Sequence, residues 1–362
     1  MKKPFRITIL FTLALALTIT GLLPAAAATR DDFKKRFDAA ASSATAAIVY
    51  DLTDETTLYA KNIDKPLGLA SITKVLTACT AAQFLSANDK ITVGNEVYLT
   101  ADIGSRAPVY YGDRYTFEQI LHAMLLPSGC DAAMVIAAAA GKKAAGDSSL
   151  SGRQAINVFL GEMNKFIKKL GGTNSHFVNP DGQDASGQHT TCRDYIKVLR
   201  YAVMHPLISS VIRKDEYACY DLNGNYHYFS TTNSLLARGS YYYYPGVIGI
   251  KTGTTYQAGA CLAGAVQRNG KTILTLVAHA PSMSERYTIS TKLLDIAFAF
   301  RMTGDVDYDN RISAEDARLA LRLSVGLESE EEYPPQYADM DGDGTVSPGD
   351  ARIILRVSVG LE

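Results

Sequence analysis

Three short clusters, Ser71-Ile-Thr-Lys74, Ser128-Gly-Cys130 and Lys251-Thr-Gly-Thr254, contain the residue types needed to make and use a nucleophile. Residues three apart on a helix share a face, so the first spacing predicts the Lys74 amine beside the Ser71 hydroxyl. A serine hydroxyl is a weak nucleophile until a neighbouring base takes its proton. A lysine held near apolar or cationic groups can lose its own proton and serve as that base. Ser128 can relay a proton to a leaving amine, and Lys251 adds positive charge against an anionic substrate. Gly253 lets substrate backbone approach a strand edge shared with Thr252. The backbone N–H groups of Ser71 and Thr254 would form the oxyanion hole. An isolated Ser-x-x-Lys is most often a solvated helix surface, so only the three clusters together point to catalysis. The chemistry they imply is acyl transfer, which requires no cofactor.

A second chemistry is written twice near the C-terminus. Asp305-Val-Asp-Tyr-Asp-Asn-Arg-Ile-Ser-Ala-Glu-Asp316 returns 34 residues later as Asp339-Met-Asp-Gly-Asp-Gly-Thr-Val-Ser-Pro-Gly-Asp350. Oxygen ligands at loop positions 1, 3, 5, 7, 9 and 12 are the pattern of a calcium loop. The first loop offers Asp305, Asp307, Asp309, the Arg311 carbonyl, Ser313 and Asp316. The second offers Asp339, Asp341, Asp343, the Thr345 carbonyl, Ser347 and Asp350. Position 6 is glycine in the second loop, and Asn310 in the first tolerates a left-handed turn. Two disordered acidic turns would not repeat this spacing or run into the same helix each time. Two calcium ions are therefore expected.

The elements that must position these groups can be sketched from periodicity. Ala46–Tyr50 and Thr57–Ala60 flank a polar turn and predict an N-terminal hairpin, followed by a helix opening at Ser71. From about Thr116 to Leu199 the pattern is mostly helical. Phe117, Ile120, Leu121, Met124 and Leu125 recur at helical spacing, as do Ile156, Phe159, Leu160, Met163 and Phe166. Val247–Lys251, Gly259–Gln267 and Thr272–Ala278 predict three antiparallel strands, with a closing helix from about Arg286 to Phe300. Strands at both ends with helices between them imply an α+β domain whose sheet is assembled from its two termini. Ser329 to Gln336 reads as an exposed connector between the C-terminal repeats.

Lys2, Lys3 and Arg6 precede an apolar stretch ending in Ala25–Ala28, the anatomy of a secretory signal peptide. The expected organisation is a signal peptide over 1–28, a catalytic domain over 29–302 and a calcium module over 303–362. The product would be secreted, extracellular or associated with the cell wall. No later run is long and apolar enough to span a bilayer, so no membrane anchor is expected after signal cleavage. The balance of 36 basic and 37 acidic residues gives no reason to expect nucleic acid binding. The five cysteines (79, 130, 192, 219 and 261) are too few and scattered for a disulfide framework. Most are expected to be small buried apolar residues. His189 and His279 lack metal-site spacing and are expected to be structural. Tyr241–Tyr244 is expected to form an aromatic loop packed on the domain.

The three clusters stand in the order found in β-lactamases and penicillin-binding proteins. With Leu125-Leu-Pro-Ser-Gly129, Phe177-Val-Asn-Pro-Asp-Gly182 and Lys251-Thr-Gly-Thr-Thr-Tyr-Gln-Ala-Gly259, the sequence resembles the low-molecular-mass D-alanyl-D-alanine carboxypeptidases over roughly residues 40 to 300. The resemblance implies a β-lactamase/transpeptidase-like fold, with an antiparallel sheet, flanking helices and a helical subdomain. It also implies a peptidoglycan stem peptide as substrate, β-lactams as inhibitors, and Arg286 as the group holding the substrate carboxylate. Cys130 stands where the family usually has asparagine, and a thiol cannot both donate and accept as an amide does. Asp at loop position 12 and one helix after each loop make the C-terminal pair resemble a type I dockerin. That resemblance implies a cohesin partner, with Arg318, Arg322, Arg352 and Leu355 as candidate contact residues. A β-lactamase or D,D-endopeptidase of the same fold, or an inactive cell-wall-binding adaptor, are the alternatives. Glu162, the nearest candidate for a β-lactamase base, falls in a predicted helix.

Overall fold

The structure is a computed structural model that describes residues 30–100, 104–268, 270–299, 303–309 and 311–361. The leader expected at 1–28, Asn310 and Phe300 lie outside the described residues. The chain divides into two compact units, one spanning Thr29–Arg301 and the other including Met302–Glu362. No described helix is long and apolar enough to cross a membrane.

In the larger unit, α1 (Arg30–Ala40) precedes the hairpin β1 (Ala46–Asp51) and β2 (Thr56–Lys61), followed by α2 (Thr73–Ala81), β3 (Lys90–Thr92) and β4 (Arg114–Thr116). The helices α3 (Phe117–Leu125), α4 (Cys130–Ala145), α5 (Gly152–Lys169), α6 (Cys192–Met204) and α7 (Pro206–Ile212) come next. The hairpin β5 (Glu216–Tyr220) and β6 (Tyr226–Ser230) leads to β7 (Val247–Thr255), β8 (Gly259–Arg268), β9 (Lys271–Ala280) and α8 (Met283–Phe298). The five-stranded sheet has the order β2-β1-β9-β8-β7 and is antiparallel throughout. The two ends of the unit therefore meet in one sheet, as the sequence implies. β1 is buried at every position because β2 and β9 flank it, while α6 packs on β1 and β9. α8 lies on β8 and β9, and α1 packs against α8.

The expected helical stripes face the core: all five α3 positions are buried, as are Ile156, Phe159, Met163 and Phe166 of α5, with Leu160 half-buried. Thr116 with Gln119, and Ser151 with Gln154, form reciprocal capping boxes that start α3 and α5.

Three boundaries and several whole elements differ from the sequence reading. Ala70–Ile72 is a 3₁₀ turn, so α2 begins at Thr73 and not at Ser71. β7 continues to Thr255 because β8 pairs with it as far as Gly259. α8 opens at Met283, one turn earlier, since the Ser282 side chain accepts from the Glu285 N–H and caps it. β5, β6 and α7 fall in a stretch to which periodicity assigned nothing.

The smaller unit contains α9 (Ala314–Ser324) and α10 (Pro348–Ser358), packed on each other around Val306, Leu319, Ala320, Leu323, Ala338 and Ile354. Part of the expected connector, Pro335–Tyr337, forms a 3₁₀ turn.

Candidate active site and calcium loops

The turn entering α2 places Ser71 and Lys74 together. Lys74 is fully buried, and its Nζ donates to Ser71 Oγ at 2.8 Å and to the Asp181 carbonyl at 2.9 Å. It also lies 3.3 Å from Cys130 Sγ. Ala70 holds a left-handed backbone, φ +49°, that non-glycine residues rarely adopt, so the surroundings must impose this turn. Two close approaches do so. A Cβ on Gly182, which has φ +85°, would lie 1.9 Å from the Ala70 carbonyl oxygen. A Cβ on Gly253 would lie 2.5 Å from the Leu69 oxygen and 3.0 Å from Ser71 N. β7 pressing on the Ser71 turn thus already requires glycine at 253, independently of any approach by substrate backbone.

Ser128 is buried and also left-handed, φ +69°, directly ahead of α4. Its carbonyl accepts from Ser105 Oγ at 2.6 Å, and Cys130 N–H donates to the Ser105 carbonyl at 2.8 Å. The Asp131 carboxylate accepts from Ala107 N–H at 3.0 Å, tying the same segment to α4. The Cys130 thiol keeps a contact with Lys74, and Gln183 Nε2 lies 3.7 Å from it. All five cysteines are free. Burial pushes the Cys192 thiol up to about 12 and the Cys261 thiol to about 11, as expected for inert core residues.

Lys251 Nζ is buried, 3.0 Å from the Thr252 carbonyl and 3.4 Å from Thr232 Oγ1. Burial first, then the charges of Lys74 and Arg286, hold its pKa well below the ordinary 10.5. The Thr252 hydroxyl pairs with Thr232 Oγ1 at 2.7 Å. Arg286, near the start of α8, is buried. Its Nη1 donates to Thr254 Oγ1 at 2.9 Å and to the Gly253 carbonyl at 3.3 Å, and Nη2 reaches Tyr287 OH at 3.3 Å. Its Nε is buried with no hydrogen-bond partner, leaving a donor available in a cationic corner.

Asp181, Thr232 and Ser105 join the site without a spacing signal. The Phe177–Gly182 stretch carries the family resemblance, but no residue type within it marks a carbonyl for a role at the site. Asp184 fastens that loop to the end of β7 by accepting from Thr255 Oγ1 at 2.6 Å and Gln257 N–H at 2.9 Å. Glu162 sits on α5 in an ion pair with Lys165 at 2.7 Å. His189 Nδ1 lies 2.9 Å from the Gly187 carbonyl, and the His279 N–H donates to Cys261 Sγ at 3.4 Å. In the tyrosine run, Tyr242 stacks on Tyr287 and Tyr244 is buried, whereas Tyr241 is exposed.

In the smaller unit, ligand oxygens of Asp305, Asp307 and Asp316 lie within 4.8 Å of one another, as do those of Asp339, Asp341 and Asp350. Burial first, and then the neighbouring Asp316 carboxylate, raise the Asp307 pKa. Such all-oxygen clusters fit a hard cation. Asp309 and Asp343 instead accept from the N–H groups of Arg311 and Thr345, both at 2.8 Å. The Ser313 and Ser347 hydroxyls cap α9 and α10, donating to Asp316 and Asp350 at 2.9 Å. Gly344 at loop position 6 has φ +90°. At position 4, Tyr308 and Gly342 share a left-handed backbone that the sequence did not announce.

Comparison with known proteins adds two family matches. The D-alanyl-D-alanine carboxypeptidase family matches residues 33–282, and the dockerin type I domain matches residues 303–356. A D-alanyl-D-alanine carboxypeptidase of Streptomyces sp. (strain K15) is 32% identical over 67% of this chain and 83% of its own length. The D-alanyl-D-alanine carboxypeptidase DacF of Bacillus subtilis (strain 168) is 27% identical over 80% of this chain and 71% of its own. The solved Streptomyces K15 DD-transpeptidase superposes with TM-score 0.64 at 30% identity, covering 71% of this chain and 98% of its own. Its solved variants include replacements of a serine and of a cysteine two positions later, the spacing of Ser128 and Cys130 here. An ampicillin-bound penicillin-binding protein D2 from Listeria monocytogenes superposes with TM-score 0.57 at 27% identity, covering 71% of this chain and 97% of its own.

Proposed function

The chain belongs to the D-alanyl-D-alanine carboxypeptidase family and carries a dockerin type I domain, and from that premise we propose a secreted serine carboxypeptidase docked to a scaffold. It removes the terminal D-alanine of peptidoglycan stem peptides through an acyl-enzyme on Ser71. The observation that carries the reading is the 2.8 Å contact between Lys74 Nζ and Ser71 Oγ. In its neutral form Lys74 takes the Ser71 proton as Oγ attacks the carbonyl between the two D-alanines. The N–H groups of Ser71 and Thr254 receive the oxyanion. As the C–N bond breaks, the proton passes through Ser128 to the leaving amine, releasing D-alanine. Water then adds to the ester and restores the Ser71 hydroxyl. Lys251 and Arg286 hold the substrate's terminal carboxylate, a role favoured by their burial in a cationic corner and the unsatisfied Arg286 Nε. β-Lactams would acylate the same serine.

A β-lactamase reading loses support because Glu162 is bound to Lys165 on a helix. Acyl transfer to an amine is a second reading, favoured by the likeness to a solved DD-transpeptidase.

Asp305, Asp307 and Asp316 would hold one calcium ion and Asp339, Asp341 and Asp350 a second, completed by Asp309, Asp343 and the remaining loop oxygens. The ions would neutralise the gathered carboxylates and fix both loops. Cohesin docking then falls to a surface repeated 34 residues apart, in which Leu321, Val325 and Leu327 are exposed, as are Leu355, Val359 and Leu361. Arg318 and Arg322, candidates from the sequence, are paired to Glu315 and Glu328.

The test is D-alanine release from a stem pentapeptide. Wild-type protein is expected to release it, and folded Ser71→Ala to lose at least about 10³-fold in rate. Equal release by the variant would remove Ser71 from the mechanism.

A further inference from the structure

A cleft of about 470 Å³ beside the β5–β6 hairpin takes no part in the chemistry above. Its walls include Tyr110, Tyr226 and Tyr228, with Asp113, Asn225 and His227 supplying polar groups. The three tyrosines are 64%, 61% and 54% exposed, so large aromatic surfaces remain open to a ligand.

The two hairpin rings are held in place, and the backbone of Tyr110 is anchored by Asp113. Tyr226 packs edge-on against its cross-strand partner Tyr220 at 5.5 Å, and Tyr228 OH donates to Glu216 at 2.5 Å. Tyr110 N–H donates to Asp113 at 2.9 Å. At the polar end, His227 Nε2 lies 3.3 Å from Asp221, while Tyr115 OH bonds both Asp113 and the imidazole. A platform fixed before binding loses little conformational freedom when a ligand arrives.

The lining contains an aspartate and no lysine or arginine, which disfavours an anionic polymer. Aromatic faces beside a carboxylate and an amide suit a neutral pyranose, whose C–H face packs on a ring while its hydroxyl and acetamido groups meet the polar atoms. The volume lies within the range of small-ligand pockets.

Both walls lead to the catalytic residues. β6 leaves the cleft at Phe229, and three residues on, about 10 Å along an extended chain, Thr232 contacts Lys251 and Thr252. On the other side, Ser105 props Ser128 just ahead of the segment that reaches Tyr110. Four extended residues of stem peptide span at most about 14 Å, a comparable reach.

We propose that this cleft is a saccharide subsite, holding a neutral N-acetylhexosamine of the glycan strand while the attached stem peptide reaches Ser71. The inference rests on the peptidoglycan reading above and deepens it: the preferred substrate is the glycan-linked stem, not the free peptide.

The test compares D-alanine release from a disaccharide pentapeptide and from the same pentapeptide without sugar. Tyr226→Ala is expected to lower kcat/KM about 5- to 10-fold on the first and leave the second unchanged, with Tyr226→Phe restoring the loss. Equal loss on both substrates, or no loss on either, overturns the subsite. A peptide-free N-acetylhexosamine tetrasaccharide is also titrated by NMR against folded Ser71→Ala. It is expected to shift resonances of the β5–β6 hairpin, and the absence of such shifts also overturns the proposal. If wild-type protein cleaves neither peptide, the carboxypeptidase reading fails while the titration still decides the subsite.

Discussion

The surroundings of Lys251 disfavour its charged form, because it is buried and feels both Lys74 and Arg286. The arrival of a substrate carboxylate offsets those charges and raises the pKa. A lysine whose pKa rises on binding takes up a proton, so affinity for carboxylate-ended substrates falls as pH rises through the interval between the free and occupied values. Calorimetry on Ser71→Ala in buffers of different ionisation enthalpy is expected to report net proton uptake with a D-Ala-D-Ala peptide. Binding without proton exchange would mean that Lys251 is not at the carboxylate. The nearness of Ser71 and Lys74 was legible at this scale because i, i+3 spacing survives even when the first residue lies in a 3₁₀ turn. The Asp181 carbonyl and the Thr232 hydroxyl were not legible. A carbonyl has no residue type, and a lone threonine has no spacing partner.

At the scale of elements, the site depends on two segments pressed against the Ala70–Ile72 turn. A methyl group at 182 would meet the Ala70 oxygen at 1.9 Å on a left-handed backbone. Gly182→Ala is therefore expected to cost about 3 kcal/mol or more of stability and to slow acylation by displacing the Asp181 carbonyl from Lys74. Thermal unfolding together with the rate of penicillin labelling checks both, and wild-type values in each would contradict the packing account. The core helices were readable because their apolar stripes face one core, and the long strands because β-formers run continuously. The β5–β6 hairpin carries a local turn signal rather than a periodic one. Asn223-Gly224 lies between alternating segments, and Gly224 has φ +89°. The 3₁₀ turn was hidden, because it is imposed by contacts with residues more than 100 positions away.

For the whole molecule, two units with separate cores should respond separately to calcium. Chelation leaves the gathered carboxylates of the smaller unit without a counterion, so its unfolding transition is expected to move to lower temperature. The larger unit uses no loop carboxylate and should keep its transition and its activity. A scan with and without chelator tests this, and joint loss of both transitions would contradict it. The internal repeat made the smaller unit legible from sequence, since only spacing was needed to gather its aspartates. The cleft proposed for the saccharide was not legible, as its walls come from segments more than 100 residues apart. The most direct test of the central claim is mass spectrometry of peptides from protein treated with a penicillin. The account predicts a drug adduct on the peptide bearing Ser71, absent from folded Ser71→Ala, and an adduct elsewhere or none at all would contradict it.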